Sequence, residues 1–301
     1  MKIRLWGYAL LVLVVILAGC SNTNNKGDSS TSNSSSNSTS SNNSSQTESK
    51  PSVVKIGVVG EPQKVIWDAV KENLKASGEN IEISFVTFTD GIIANQALAD
   101  KELDFTLFQH YAFLEQEVAD KGYNFAVIGE ALVAPLSVYS KTITDVSEIK
   151  EGDKVAIPNN ATNAGRALKV LERAGLIEVD ASKGYMPTVQ DITANKLNLE
   201  IVEVDPALIP SLLPDLAAGI TNSGIAIDNG LSPITDAIYS IPVDAKDENI
   251  KPYINIFVAR AEDKENATYQ KIVEAYRQDN VAKAMLDEYK GGLIPAWDYA
   301  K

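Results

Sequence analysis

From residue 51 onward the chain alternates short β-branched runs with segments of helical periodicity, and this alternation is the strongest constraint on its fold. "SVVKIGVVG" is followed by "EPQKVIWDAVKENLKASG", whose apolar residues recur at helical spacing, and then by "IEISFVTF". Apolar strands that alternate with amphipathic helices predict a parallel or mostly parallel sheet covered on both faces. The predicted fold class is therefore α/β.

One segment predicts that the chain builds two units rather than one. "NFAVIGEALVAPLSVYS" is too long for an ordinary strand, and it contains Pro135. Because proline is confined to strand starts, edges and bulges, we interpret this segment as a strand that leaves one sheet and enters a second unit. A new strand and helix follow from "DKVAIP", and the chain returns near "YINIFVAR". We predict lobe one at residues 51–136 and 239–301, and lobe two at residues 137–238.

The first 19 residues differ in kind from the rest of the chain. Lys2 and Arg4 precede an apolar stretch from Leu5 to Leu17, which is the layout of a secretory signal peptide. The stretch is shorter than the roughly 20 apolar residues that a bilayer span needs. We predict that residues 1–19 are removed and that the protein works outside the cytoplasm.

The only cysteine of the chain, Cys20, ends the sequence "LAGC". This ending resembles the lipobox of bacterial lipoproteins, in which the cysteine receives a diacylglycerol and becomes the new N-terminus. The alternative, a core cysteine, is implausible at the edge of a signal peptide. Lipidation at Cys20 would attach the protein covalently to the membrane, and it would leave no thiol for a disulfide, a nucleophile or a metal site.

Residues 21–50 contain no aliphatic or aromatic side chain and are rich in serine and asparagine. A segment with nothing to bury cannot offset the entropy of ordering, so we predict a disordered tether after the lipidated cysteine, residues 20–50 together. As a flexible coil it would span on the order of 30 Å.

The composition and motifs exclude several classes of function. The net charge of −13 argues against a nucleic-acid partner and against electrostatic adhesion to anionic lipid. There is no G-x-S-x-G elbow and no nucleotide-binding glycine motif. A single histidine, His110, cannot assemble a multi-histidine metal site. We therefore predict a protein that is not an enzyme and that uses no cofactor or metal.

The loop and helix start "PNNATNAGRALKVL" is the most informative stretch for binding. It follows a strand, offers Thr162 and Asn163 as helix caps, and places Arg166 in or beside the first helical turn. Backbone N–H groups, the helix dipole and a guanidinium would together bind a carboxylate. The alternative is an ordinary helix start with a solvated arginine, and the loop alone leaves both open.

The single histidine lies in "ELDFTLFQHYAF", between a predicted strand and a helix from about Tyr111 to Lys121. Two interpretations are open for His110. It is either a satisfied core residue that caps the helix or a polar wall of a pocket among aromatic neighbours.

Several stretches, in order from about Lys55 to Trp297, resemble one family. They are "FTLFQHYAF", "VAIPNNATNAGRAL", "AAGITNSGIAIDNGL" and the shorter "PYIN". Together they resemble the NlpA/MetQ family, the methionine-type substrate-binding lipoproteins of ABC importers. The resemblance implies a two-lobed periplasmic-binding-protein fold, type II-like, that closes on a free amino acid, most often L-methionine, and delivers it to an ABC permease.

The resemblance also implies a set of ligand-binding residues: Arg166, Asn163, Asn222, His110, Phe108 and Phe113. In the family the arginine holds the ligand carboxylate with the asparagine of "TNAGR" beside it. The asparagine that ends "ITN" hydrogen-bonds the amino-acid group of the ligand. The Phe-Gln-His stretch lines the cleft from lobe one.

At three positions this chain departs from tyrosines that family members carry, with Gly91, Phe113 and Ala134 in their place. The resemblance then implies a pocket that is larger, less polar or both, and lost hydrogen-bond donors shift specificity. L-methionine is the leading expectation, with another apolar amino acid or a short peptide as the alternative. A surface lipoprotein that binds other proteins and has lost transport is a second class of function.

Overall fold

The computed structural model describes residues 50–300, so the predicted signal peptide, Cys20 and the tether up to residue 49 lie outside it. The strands in this range are β1 (Ser52–Val59), β2 (Ile81–Phe88), β3 (Phe105–His110), β4 (Phe125–Val133), β5 (Leu136–Tyr139), β6 (Lys154–Pro158), β7 (Glu178–Val179), β8 (Ile192–Ala194), β9 (Glu200–Val204), β10 (Ala218–Asn222), β11 (Ala237–Ser240), β12 (Ile254–Arg260) and β13 (Ile294–Pro295). The α-helices are α1 (Lys64–Ala76), α2 (Gly91–Ala99), α3 (Tyr111–Lys121), α4 (Ala161–Arg173), α5 (Ile209–Leu212), α6 (Ser223–Asp228), α7 (Ala267–Tyr276) and α8 (Asp279–Tyr289).

The strands form two large sheets. The first has the order β13-β4-β12-β3-β1-β2, and the second has the order β11-β5-β10-β6-β9, while β7 and β8 form a separate pair. In the first sheet β1 is parallel to β2 and β3, but β12 is antiparallel to both β3 and β4, and β13 is antiparallel to β4. In the second sheet β6 is parallel to β9 and β10, whereas β5 is antiparallel to β10 and β11.

Both sheets are therefore mixed, and the prediction of a parallel or mostly parallel sheet was wrong. The reason is the path of the chain between the sheets. The chain leaves the first sheet at the end of β4 and returns to it in β12, which runs between β3 and β4 in the opposite direction. An α/β alternation along the chain does not reveal the direction of such a returning strand. The predicted α/β class itself is confirmed.

The crossover between the sheets lies where the long segment with Pro135 predicted it. β4 ends at Val133 in the first sheet, and β5 begins at Leu136 in the second. Ala134 and Pro135 lie between these strands, and side chains from helices of the second sheet bond to both of them. Arg166 Nη2 donates to the Ala134 carbonyl at 2.6 Å, and Ser223 Oγ donates to the Pro135 carbonyl at 2.6 Å.

Each large sheet is packed against helices of its own. On the first sheet, α1 buries Trp67, whose ring meets Phe85 and Tyr276 edge-on with centroids 5.0 and 5.5 Å away. On the second sheet, the buried face of α4, including Leu168 and Leu171, belongs to one core with strand residues of β6 and β10. Full burial of each such side chain contributes about 1.5–3 kcal/mol. These two cores fix the ends of the strands that carry the candidate site.

Among residues 50–300, no helix has the length and apolar character that a bilayer crossing requires.

Candidate functional site

A cavity of about 160 Å³ opens where strands of both sheets end, and it is lined by residues at or just beyond the ends of β1, β3 and β10 and by the start of α4. Ligands of α/β proteins commonly bind beyond the carboxyl ends of strands. All of the residues predicted to bind ligand line this cavity: Phe108, His110, Phe113, Asn163, Arg166 and Asn222. The fold thus brings together side chains that are far apart in the sequence. Their role toward a ligand stays a prediction.

The start of α4 is capped differently from the prediction. The helix begins at Ala161, and Asn160 is its cap, with extended backbone and a side chain that accepts the Asn163 N–H at 3.2 Å. Thr162 and Asn163 lie in the first turn, so the prediction that they serve as caps was wrong. Of the two asparagines that precede "AT", the second has the extended backbone that a cap needs. As a result the Asn163 side chain is free to face the cavity.

Arg166 lies in the second turn of α4, beside the first turn as predicted, and is only 6% exposed. Its Nη2 donates to Ala134 O, and its Cζ lies over the Tyr253 ring, 4.7 Å from the ring centroid. Among the described side chains of residues 50–300, which leave out that of Glu248, no carboxylate forms an ion pair with it. Burial lowers the pKa of Arg166 to about 10, so the side chain remains a cation at neutral pH. The cavity is therefore bordered by a buried positive charge without an acidic partner in the described structure.

His110 ends β3 and caps α3, and both interpretations of this residue hold at once. Its Nδ1 accepts the Phe113 N–H at 3.1 Å, so a neutral ring carries its proton on Nε2. That Nε2 lies 3.3 Å from Asn163 Oδ1, at the cavity. Burial, and secondarily the charge of Arg166, lower the pKa of His110 to about 3. The ring is therefore a neutral hydrogen-bond donor at physiological pH.

Asn163 and Asn222 form the polar floor of the cavity. Asn163 Oδ1 accepts from His110 Nε2 and also from Asn222 Nδ2, the latter at 3.3 Å. With the oxygen occupied by two donors, the Asn163 amide presents its N–H groups elsewhere. In residues 50–300 neither Asn163 Nδ2 nor Asn222 Oδ1 has a hydrogen-bond partner within the protein. One unpaired donor and one unpaired acceptor thus face the same cavity as the arginine.

Another part of the cavity lining is aromatic. Phe108 and Phe113 meet edge-on with centroids 6.1 Å apart. Gly91 lies directly against them, because a Cβ there would be 2.6 Å from Phe108 Cε2 and 3.1 Å from Phe113 Cζ. The rings therefore fill the space beside Gly91, and the missing side chain does not open an equal volume in the cavity. This wall offers an apolar surface to a ligand side chain.

The prediction missed two residues of the site. Asn255 lines the cavity from β12, directly opposite His110 in the pairing of β12 with β3. Tyr253 is not among the lining residues but contacts Arg166, which is. Both belong to the stretch "PYIN", which carried part of the family resemblance, so the signal was present in the sequence.

The two mixed sheets, the crossover between them and the cavity at their strand ends define the fold of a two-lobed substrate-binding protein. The chain belongs to the NlpA lipoprotein family, whose sequence model matches residues 54–297.

Comparisons with known proteins support this membership. The chain is 37% identical over 255 residues to the D-methionine-binding lipoprotein MetQ of Salmonella typhimurium, covering 84% of this chain and 91% of the relative. It is similar to the structure of a nutrient-binding protein from Burkholderia cenocepacia bound to methionine, with a TM-score of 0.74, 31% identity and coverage of 81% and 100%. Protein PG110 from Staphylococcus aureus matches with a TM-score of 0.75, 38% identity and coverage of 80% and 93%.

Proposed function

We propose that this protein is a solute-binding lipoprotein that captures methionine as a free amino acid and delivers it to an ABC permease, with no catalytic role. The observation that carries the proposal is the buried Arg166, which borders a cavity and has no acidic partner among the described side chains. A buried cation without a counter-charge is costly, and the carboxylate of a ligand would offset that cost. The named function of the Salmonella relative and the methionine in the Burkholderia structure support the choice of ligand.

The cavity offers a complementary group for each part of an α-amino acid. The guanidinium of Arg166 and the free N–H groups of Asn163 would bind the carboxylate, with the strength of charge-assisted hydrogen bonds. Asn222 Oδ1 would accept from the ammonium group. The Phe108 and Phe113 rings would pack against the thioether side chain, since sulfur makes favourable contacts with aromatic rings.

We also propose that the two sheets belong to two lobes, residues 51–136 with 239–301 and residues 137–238. β5 begins at Leu136 and β11 ends at Ser240, so sheet membership changes within two residues of these boundaries. A ligand that touches both lobes would stabilise the closed arrangement, and the permease would recognise that arrangement.

The proposed site of action is the outer face of the cytoplasmic membrane. The signal peptide and the "LAGC" sequence support lipidation at Cys20, and residues 21–50 would tether the folded part to the lipid. The name of the family, NlpA lipoprotein, agrees with this location.

Calorimetric titration of residues 21–301, refolded to remove any bound ligand, tests the proposal with a panel of compounds. The panel contains L-methionine, D-methionine, other apolar amino acids and methionine-containing dipeptides. One-to-one binding of methionine supports the proposal. Binding of another compound of the panel, without binding of methionine, would show that the protein has a different ligand. If no compound binds, a lipoprotein that binds other proteins is favoured.

Two variants on the same helix locate the carboxylate site. Arg166→Ala should abolish methionine binding, whereas Arg173→Ala, which removes an exposed arginine from the last turn of α4, should leave binding unchanged. Equal affinity in both variants would contradict the proposed role of Arg166.

A further inference from the structure

Tyr253 lies just before β12 and carries a ring that contacts three other side chains. The Arg166 guanidinium lies 4.7 Å from the ring centroid. The ring of His110 meets it at 5.9 Å and 88°, and the ring of Tyr185 meets it at 6.4 Å and 89°. Two edge-on neighbours therefore fix the orientation of the Tyr253 ring, and the ring in turn offers a fixed face to the arginine.

Arg166 is thus held in two ways that involve different parts of its guanidinium. Its Nη2 is bonded to the Ala134 carbonyl at 2.6 Å, which fixes one edge of the group. Its central carbon, Cζ, lies over the Tyr253 ring, 4.7 Å from the ring centroid. A guanidinium has five N–H donors in one rigid plane, so a hydrogen bond at Nη2 and a ring contact at Cζ together restrict the direction of the remaining donors.

An aromatic ring beside Arg166 leaves its N–H donors available to a ligand, whereas a carboxylate would not. A carboxylate beside Arg166 would occupy its N–H groups and compete with an anionic ligand. The face of an aromatic ring attracts the cation and uses none of these donors. Burial raises the pKa of Tyr253, so the phenol stays protonated and adds no negative charge.

We propose that Tyr253 is a positioning residue for ligand recognition, whose ring holds the Arg166 guanidinium with its free N–H groups directed at a ligand carboxylate. This inference rests on the proposed binding of an amino acid in the cavity. Tyr253 acts through Arg166 and is not among the residues that line the cavity.

The first test compares Tyr253→Leu with Tyr253→Phe, which keeps the ring, in residues 21–301. Affinity is measured for L-methionine and, up to millimolar concentration, for L-methioninamide, which has no carboxylate. Tyr253→Leu should weaken methionine binding on the order of tenfold, the scale of a desolvated cation–π contact. Methioninamide binding should change by less than about twofold, the scatter of uncoupled sites. Tyr253→Phe should resemble the wild type for both compounds.

Two outcomes of this titration overturn the inference. One is a Tyr253→Leu variant that binds methionine as tightly as the wild type. The other is an equal loss for methionine and methioninamide, which would indicate a purely structural role. If Tyr253→Leu does not fold, Tyr253→Met, which keeps apolar bulk without a π face, takes its place.

A second readout needs no ligand. The chain has five arginines, and the guanidinium NMR signals of Arg166 can be assigned by their loss in Arg166→Lys. The wild type and Tyr253→Phe should show slow guanidinium rotation, and the variant without a ring should show averaged signals; slow rotation in all three would overturn the inference. The NMR result and the titration can also disagree. If the Arg166 signals depend on the Tyr253 ring but the protein does not bind methionine, the proposed function is refuted and the positioning of Arg166 by Tyr253 is not.

Discussion

Asp228 Oδ2 accepts a hydrogen bond from the backbone N–H of Glu61 at 3.1 Å, and this bond joins elements that belong to different sheets. Asp228 ends α6, which follows β10 of the second sheet, and Glu61 lies in the turn after β1 of the first. Gly60, next to Glu61, leaves room for the carboxylate, since a Cβ there would be 2.2 Å from Asp228 Oδ2. The bond is thus a direct contact between elements of the two sheets.

Removal of this carboxylate should weaken ligand binding without changing any residue at the polar floor of the cavity. Asp228→Ala should lower the affinity for methionine about fivefold, which corresponds to the roughly 1 kcal/mol that a typical hydrogen bond contributes. Glu61→Ala is the matched control, because it keeps the backbone N–H that Asp228 uses. Calorimetric titration of both variants checks the prediction, and wild-type affinity in Asp228→Ala would contradict it.

Gly60→Ala should weaken methionine binding and also lower stability. Gly60 has φ of 77°, and its Cβ would collide with the Asp228 carboxylate. Gly78→Ala is a close control, because Gly78 has φ of 76° but no atom within 4 Å of a Cβ. Both variants should lose stability to the strained backbone, on the order of 1 kcal/mol. Only Gly60→Ala should also lose affinity, and equal affinities in titrations of the two variants would argue against a role of the contact in binding.

Gly91→Ala should reduce the affinity for methionine, because the added methyl group must displace the Phe108 ring. The measurement that isolates this cause is a double-mutant cycle with Phe108→Leu. The effect of Gly91→Ala should shrink in the Phe108→Leu background, where the obstructing ring is absent. Additive losses would mean that Gly91 acts through something other than this ring.

His110 should stay neutral in the folded protein well below its ordinary pKa. Its pKa is about 3 in the folded state and 6.5 in the unfolded state, so the unfolded state binds the extra proton between these values. The contribution of His110 to stability is therefore fully present above about pH 6.5 and is lost as the pH falls toward 3. His110→Asn, which keeps a helix-capping side chain, should show a shallower loss of unfolding free energy between pH 6 and 4, by up to about 1.4 kcal/mol per pH unit.

Because the chain has one histidine, the NMR signals of its ring report the protonation state of His110 directly. They should not titrate between pH 8 and 4.5 in the folded protein. A midpoint near 6.5 would show that the ring is not shielded as the structure indicates.

Structural features could be predicted from the sequence where they depend on local interactions, or where one residue such as Pro135 is compatible with few backbone conformations. The helix from Tyr111 to Lys121 was predicted and found, with Gly122 closing it in the left-handed conformation. Pro135 marked the crossover between the sheets. The site residues came from resemblance to a family, because no periodicity relates His110 to Asn163 or Asn222.

The remaining features depend on contacts between distant segments. The insertion of β12 between β3 and β4 is decided by the route that the chain takes back from the second sheet. The bond between Glu61 and Asp228 spans 167 positions and leaves no pattern in either segment. The sequence could not identify Asn160 as the helix cap, because neighbouring residues have similar capping propensity. The cap is determined by the backbone conformation at the helix start.

The carbonyls of Ala134 and Pro135 are bonded by side chains of Arg166 and Ser223, so the joint between the sheets is tied to the second sheet at two successive peptide units. Arg166 is also the residue proposed to hold the ligand. The proposed contact with a ligand carboxylate and the contact with the joint would therefore share one side chain. On this proposal, occupancy of the cavity and the geometry of the joint should be coupled through the Arg166 side chain.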